Sequence, residues 1–234
     1  MGIQNGVISK IKSNKELYIL ILIGGLYSLS TALSNTFVNV YLWKQNEALL
    51  DLGIYNLAVV LLQGAAFLFA GGLAKKVDRI IVLRIGVCFL ASFYLVVLFF
   101  TSGSRLYLVL IGSLLGLGYG FYWLAYNLLT FEITEPETRD SFNGLQGISG
   151  ALGGMIGPFF AGYVISSMIG NTGYLIIFGS SLSLFVIAVI FSLFLKRRAA
   201  EGKYRLKQVM SERKRNPDWK RITYANYSQG LREG

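Results

Sequence analysis

Two stripes of polar and aromatic side chains lie inside segments that carry no charge. Tyr27, Thr31, Asn35 and Asn39 recur at i, i+4, i+8 and i+12, on one slowly drifting helix face. Tyr119, Tyr122, Trp123 and Tyr126 follow at i, i+3, i+4 and i+7 and share a face of another helix. Asn56 and Gln63 add amides to a third segment. The chemistry open to such groups is recognition: amides and hydroxyls exchange hydrogen bonds, and ring faces suit apolar or cationic organic molecules. An Asn in hydrocarbon is unfavourable without a partner. The first stripe therefore either lines a substrate path or makes hydrogen bonds between helices. Under the first reading the candidate substrate contacts are Tyr27, Thr31, Asn35, Gln63, Tyr119, Tyr122, Trp123 and Tyr126. Tyr119 and Trp123 fall near mid-span, deeper than an interfacial aromatic belt.

Covalent chemistry is poorly supplied. The chain has no histidine, which removes the commonest general base and metal ligand, and its one cysteine, Cys88, excludes an intrachain disulfide. Gly147-Ile148-Ser149-Gly150 matches the GxSG signature of rhomboid intramembrane proteases, but no histidine is present to activate Ser149. Gly116-Leu117-Gly118-Tyr119-Gly120 follows no strand, so it is not a nucleotide loop. We expect no catalytic residue, no metal, no cofactor and no enzyme activity.

The elements that position the stripes are read from charge. No Asp, Glu, Lys or Arg occurs in Leu17–Trp43, Leu52–Ala74, Ile85–Ser104, Leu106–Phe131 or Ser141–Leu195. A spanning helix takes roughly 20 residues. Four blocks hold one helix each, and the fifth holds two, divided at Gly170-Asn171-Thr172-Gly173. The predicted helices cover Leu17–Trp43, Leu52–Ala74, Ile80–Phe100, Leu106–Phe131, Asn143–Ile169 and Gly173–Leu195. Short connections predict that consecutive helices are antiparallel neighbours. Helices 3 and 6, which lack Asn and Gln, read as lipid-facing supports.

The organisation predicted is a cytoplasmic N-terminus over 1–16, a six-helix transmembrane bundle over 17–195 and a basic cytoplasmic tail over 196–234. Of 22 Lys and Arg residues, all but Lys44 and Arg105 fall on the side shared by both termini. The positive-inside rule places that side in the cytoplasm of a cell membrane. The net charge of +10 sits mainly in the tail. It suits anionic lipid rather than nucleic acid, for which no binding motif accompanies the charge. Leu206, Val209 and Met210, and separately Trp219 and Ile222, mark amphipathic faces in the tail.

Glycine and proline carry a second pattern. In Gly144–Gly162, GLQGISGALGGMIGPFFAG, the residues Gly144, Gly153, Gly157, Pro158 and Gly162 fall at helical spacings in an uncharged run. Interior Gly costs a soluble helix about 1 kcal/mol and Pro about 3. In a bilayer such a segment stays helical, and Gly lets helices approach closely. This stretch resembles the helix-5 antiporter motif of the major facilitator superfamily, Gx8Gx3GPx2GG, with Ala161 in place of one Gly. Gly71-Gly72-Leu73-Ala74-Lys75-Lys76-Val77-Asp78-Arg79-Ile80 is similar to that family's loop 2–3 signature, GxLaDRxGRR. The Gly, Leu and Ala positions and Arg79 fit, Lys75 stands where the family has its Asp and Asp78 where it has a Gly; Gly72, Asp78 and Arg79 are the candidate conformational residues of this segment. Gly116 and Gly118 resemble its RxxxGxG pattern on helix 4, where Gly112 replaces the Arg implicated in proton coupling.

The resemblance implies an all-α membrane protein of six transmembrane helices, arranged as two inverted three-helix repeats that form half of the family's fold. It implies alternating access around a midplane site, efflux of a small organic molecule, and a partner in the form of a C-terminal six-helix half or a second copy. Helices 2 and 5 are expected to meet that partner, which would then supply the surface that the glycine-proline helix packs on. The reading from another class is a non-transporting six-helix assembly or interaction domain, or a homodimerising half-transporter.

Overall fold

Each uncharged block folds as helix because a backbone inside a bilayer has to satisfy its hydrogen bonds internally. A computed structural model of the chain describes residues 14–46, 48–100 and 104–196, with Asp218 and Arg221 beyond them. Six helices follow in order: α1 Lys15–Asn46, α2 Leu49–Leu73, α3 Arg79–Phe99, α4 Arg105–Ile133, α5 Pro136–Ser167 and α6 Thr172–Leu193. All six are long and apolar enough to cross a membrane. Among the described residues there is no strand. Residues 201–234 form a separate unit, of which only Asp218 and Arg221, both exposed, are described. The amphipathic faces predicted for the tail lie outside the described residues.

The predicted bounds are met within a few residues, except at α5, which starts seven residues earlier than expected. Pro136 occupies the first turn, where its missing N–H costs nothing, and Glu135 and Thr138 close a capping box. The backbone then runs on as helix through Pro158. The α5–α6 turn lies where expected, with Gly170 at φ +65, a conformation costly to side-chain-bearing residues.

Neighbours in space are only partly the neighbours in sequence: α3 packs on α4, but α1 and α2 barely meet. α2 packs chiefly on α4, and α1 packs on α5 and α6; α3 bridges α4 and α6. The contact between α1 and α2 is slight. The prediction of consecutive antiparallel pairs holds for α3–α4 and is corrected for α1–α2. Short loops fix only that adjacent spans alternate in direction, whereas side-chain fit decides which faces meet. The observed pairs obey a repeat relation. Exchanging α1–α2–α3 for α4–α5–α6 turns the α2–α4 contact into α5–α1 and the α3–α4 contact into α6–α1, as two inverted three-helix repeats require.

α3 is half buried between α4 and α6, whereas α2 and α5 are the least buried spans. Their outward side chains are large and apolar, with Phe69 72% and Phe159 81% exposed. The core lies where α1, α3, α4 and α6 converge, around Phe93, Tyr94, Tyr122 and Phe185. Ser30 and Ser181 tie α1 to α6 reciprocally, each hydroxyl donating to the other's carbonyl at 3.0 and 3.1 Å. Ser34 and Tyr94 share a hydrogen bond between α1 and α3.

Candidate functional site

α5 carries two glycine faces. Gly153, Gly157 and Ala161 are buried, the first two against α1. A Cβ at Gly157 would lie 2.8 Å from the Ala32 carbonyl carbon, and one at Gly153 would lie 3.4 Å from the Ser28 oxygen. A Cβ at Gly162 would be 3.7 Å from Phe37. Gly144, Gly147, Gly150 and Gly154 have open space beside them. The expectation that a surface outside this chain receives the whole motif is corrected: Gly153 and Gly157 meet α1 of the same bundle. Gly approach gains van der Waals contact where hydrocarbon offers no hydrophobic drive between helices.

The open glycine face forms one wall of a cleft of about 590 Å³. α1 contributes Tyr27, Ser28, Thr31, Ala32, Asn35 and Thr36, while α5 contributes Gln146, Gly147, Gly150, Gly154 and Pro158. Trp123 is the lining residue from α4. Behind the wall the rings are layered. Tyr27 stacks on Tyr122 with centroids 3.9 Å apart and planes 5° from parallel, and Trp123 meets Tyr27 edge-on at 5.3 Å. Tyr122 in turn stacks on Tyr126, and Phe185 of α6 abuts Tyr27.

Hydrogen bonds connect the three helices around this cleft. Tyr126 Oη donates toward Gln146 Oε1 at 2.9 Å and lies 3.2 Å from the Leu20 carbonyl. Gln146 Nε2 reaches Ser28 Oγ at 3.4 Å, and Tyr119 Oη donates to Asn35 Oδ1 at 3.4 Å. Thr31 Oγ1 donates back into its own helix, its one proton shared between the Tyr27 carbonyl at 2.9 Å and the Ser28 carbonyl at 3.1 Å. Farther along α1, Asn56 of α2 donates to Asn39 at 3.0 Å. The stripe read from sequence thus lines a cleft through Tyr27, Thr31 and Asn35 and bonds between helices through Asn35 and Asn39.

Of the eight candidate contacts, Tyr27, Thr31, Asn35 and Trp123 line the cleft. Tyr122, 1% exposed, and Tyr126 stand behind it, Tyr119 reaches it through Asn35, and the Gln63 backbone lies against Gly116 and Gly120 of α4. Sequence reasoning missed Gln146, Ser28 and Thr36. Gln146-Gly150-Gly154-Pro158 at i, i+4, i+8 and i+12 was the available signal.

The conformational motif is placed as follows. Asp78 caps α3, its carboxylate accepting from the Ile80 N–H at 2.9 Å. Arg79 pairs with Glu132 at the end of α4, both side chains about a quarter exposed. Arg84 donates to the Ser192 carbonyl at 2.9 Å, a cation at the C-terminus of α6. Gly72 has open space beside it. At the opposite ends Arg105 of α4 bonds Asp51 of α2 at 3.1 Å. Gly112, where the resemblance places an Arg, lies with its Cβ position 2.6 Å from the Tyr55 carbonyl, so α2 fills that space.

Comparisons with known proteins show the family. The profile of the Major Facilitator Superfamily matches residues 10–226. "Uncharacterized protein YqgE" of Bacillus subtilis (strain 168) is 59% identical over 228 residues, 97% of this chain and 53% of its own length. "Uncharacterized protein in sodM 3'region" of Geobacillus stearothermophilus is 58% identical over 165 residues, 70% of this chain and 77% of its own. The chain spans about half the length of the Bacillus protein.

Proposed function

The chain belongs to the major facilitator superfamily, a family of membrane transporters, and from that premise we propose that it is the N-terminal half of a secondary transporter. In this reading a second six-helix half lies against the exposed faces of α2 and α5, and the two bundles rock about the cleft to expose it to each side in turn. Half coverage of the Bacillus relative favours such a second half over a second copy of this one. The cargo is a small organic molecule and the direction is efflux, with both termini in the cytoplasm of the cell membrane. The basic residues at the ends of α1, α3 and α6 and in 196–234 support that orientation.

The observation that carries the reading is the cleft itself. A mid-span opening between α1 and α5, lined by amides, hydroxyls and a tryptophan, is the kind of surface a packing-only bundle has no use for. Screening compounds for a rise in the Tm of the full-length protein, then measuring counterflow of the best stabiliser in proteoliposomes, tests it. Flux by the full-length protein and none by residues 1–234 alone is expected. A full-length protein that binds no compound and carries none would favour the interaction-domain reading.

A further inference from the structure

The two amides that line the cleft are each held by a phenol of α4, and in the same sense. Tyr119 Oη is bonded to the oxygen of Asn35, and Tyr126 Oη to the oxygen of Gln146. The two tyrosines are seven residues apart, two turns or roughly 10 Å along one face. Tyr126 has one proton and two acceptors within reach. The Leu20 carbonyl at 3.2 Å already lies in the α1 ladder, so the nearer Gln146 Oε1 at 2.9 Å is the one it satisfies. Gly24 makes this meeting possible: a Cβ there would lie 2.7 Å from Gln146 Cδ and would collide with the Tyr126 hydroxyl. Each phenol takes one lone pair of its amide oxygen, which fixes the amide's orientation and leaves Nδ2 of Asn35 and Nε2 of Gln146, the latter also reaching Ser28 Oγ, as the donors these two side chains hold. None of the cleft-lining residues is charged.

We propose, resting on the transport reading above, that this half of the cleft selects solutes by hydrogen-bond acceptors, taking a neutral molecule with carbonyl groups beside an aromatic ring, and that Tyr126 and Tyr119 are positioning residues that act through Gln146 and Asn35. A cation finds no carboxylate here, and the amide oxygens it would need are each already engaged by a phenol proton. A carbonyl finds donors whose direction is fixed before it arrives, which lowers the ordering cost of binding.

The test uses two probes that share a phenethyl group: neutral N-acetyl-L-phenylalaninamide and phenethyltrimethylammonium. Binding to the full-length protein is read as tryptophan quenching that disappears in Trp123→Phe. The expected result is saturable quenching by the amide, weakened about fivefold by Tyr126→Phe or Gln146→Leu, the scale of one hydrogen bond. The double variant should bind no more weakly than Gln146→Leu, and affinity for the cation should not move. If Tyr126→Phe disturbs folding, Tyr119→Phe with Asn35→Leu gives the same comparison at the second pair. Tighter binding of the cation, unchanged amide affinity in the variants, or losses that multiply would overturn the proposal while leaving the cleft as a binding site. No Trp123-dependent quenching by either probe would overturn both.

Discussion

Gly157 of α5 rests on the backbone of Ala32 of α1, so close that a Cβ at Gly157 would stand 2.8 Å from both the carbonyl carbon and the Cβ of Ala32. The glycine-proline helix is thereby tied to the helix that carries the stripe Tyr27, Thr31 and Asn35, and the same approach holds the two walls of the cleft together. A second close approach fastens α4 to α2, where Gly112 and Gly120 lie against the Tyr55 and Gln63 carbonyls.

Gly157→Leu should separate α5 from α1, because the obstacle is backbone rather than a movable side chain. Overpacking of this kind costs on the order of 1–3 kcal/mol. Gly154→Ala, a little way round the helix with open space beside it, should be neutral or slightly stabilising through helix propensity. Thermal unfolding of both variants in one detergent checks the contrast, and equal Tm values would contradict the contact.

Gly112→Arg should destabilise rather than restore a family-like arginine. The Cβ position is 2.6 Å from the Tyr55 carbonyl, so the side chain has no path that does not part α2 from α4. A well-folded Gly112→Arg protein, judged by monodisperse elution and an unchanged Tm, would refute the assigned α2–α4 packing.

Six spans were legible in the sequence because each coincides with an uncharged block, and their fold class followed. The start of α5 was not, since Glu137, Arg139 and Asp140 broke the block although the capping box Glu135/Thr138 was there to read. The helix-4 stripe gave a correct face but not its depth. Tyr122 and Trp123 are adjacent on that face, yet a ring-on-ring stack with Tyr27 buries the first while the second lines the cleft. Periodicity says which residues share a face and is silent on what the face meets. The α1 partner of Gly157 and the Gln146–Tyr126 bond are both long-range facts of that kind.

Ser30→Ala and Ser181→Ala should each cost about 1 kcal/mol, the net worth of a buried hydrogen bond. Each hydroxyl donates to the other residue's carbonyl, so the two bonds share a site and the double variant should depart from additivity. A double-mutant cycle on thermal or denaturant unfolding measures it. Two silent single variants would show that the α1–α6 seam does not depend on this exchange.

Glu132→Gln should loosen the ends of α3 and α4 by removing the partner of Arg79, whose guanidinium is about three-quarters covered. The loss is set at about 1–3 kcal/mol by the cost of a charge left in a partly buried place. The swap Arg79→Glu with Glu132→Arg should recover part of it. Hydrogen exchange at the start of α3 reports the effect, and protection unchanged in Glu132→Gln would mean that the pair holds nothing.

A transport path between α1 and α5 has to be filled with water and open to each side of the membrane in turn. The decisive experiment is aqueous maleimide labelling of Gly150→Cys in a Cys88→Ser full-length protein, performed on right-side-out and inside-out vesicles. Gly150 lines the cleft, and Ile187→Cys on the exposed face of α6 serves as the lipid-facing control. The thiol introduced at position 150 should react from both sides, while the thiol introduced at position 187 stays inert. Labelling at position 150 no faster than at position 187, from either side, would contradict a water-filled path.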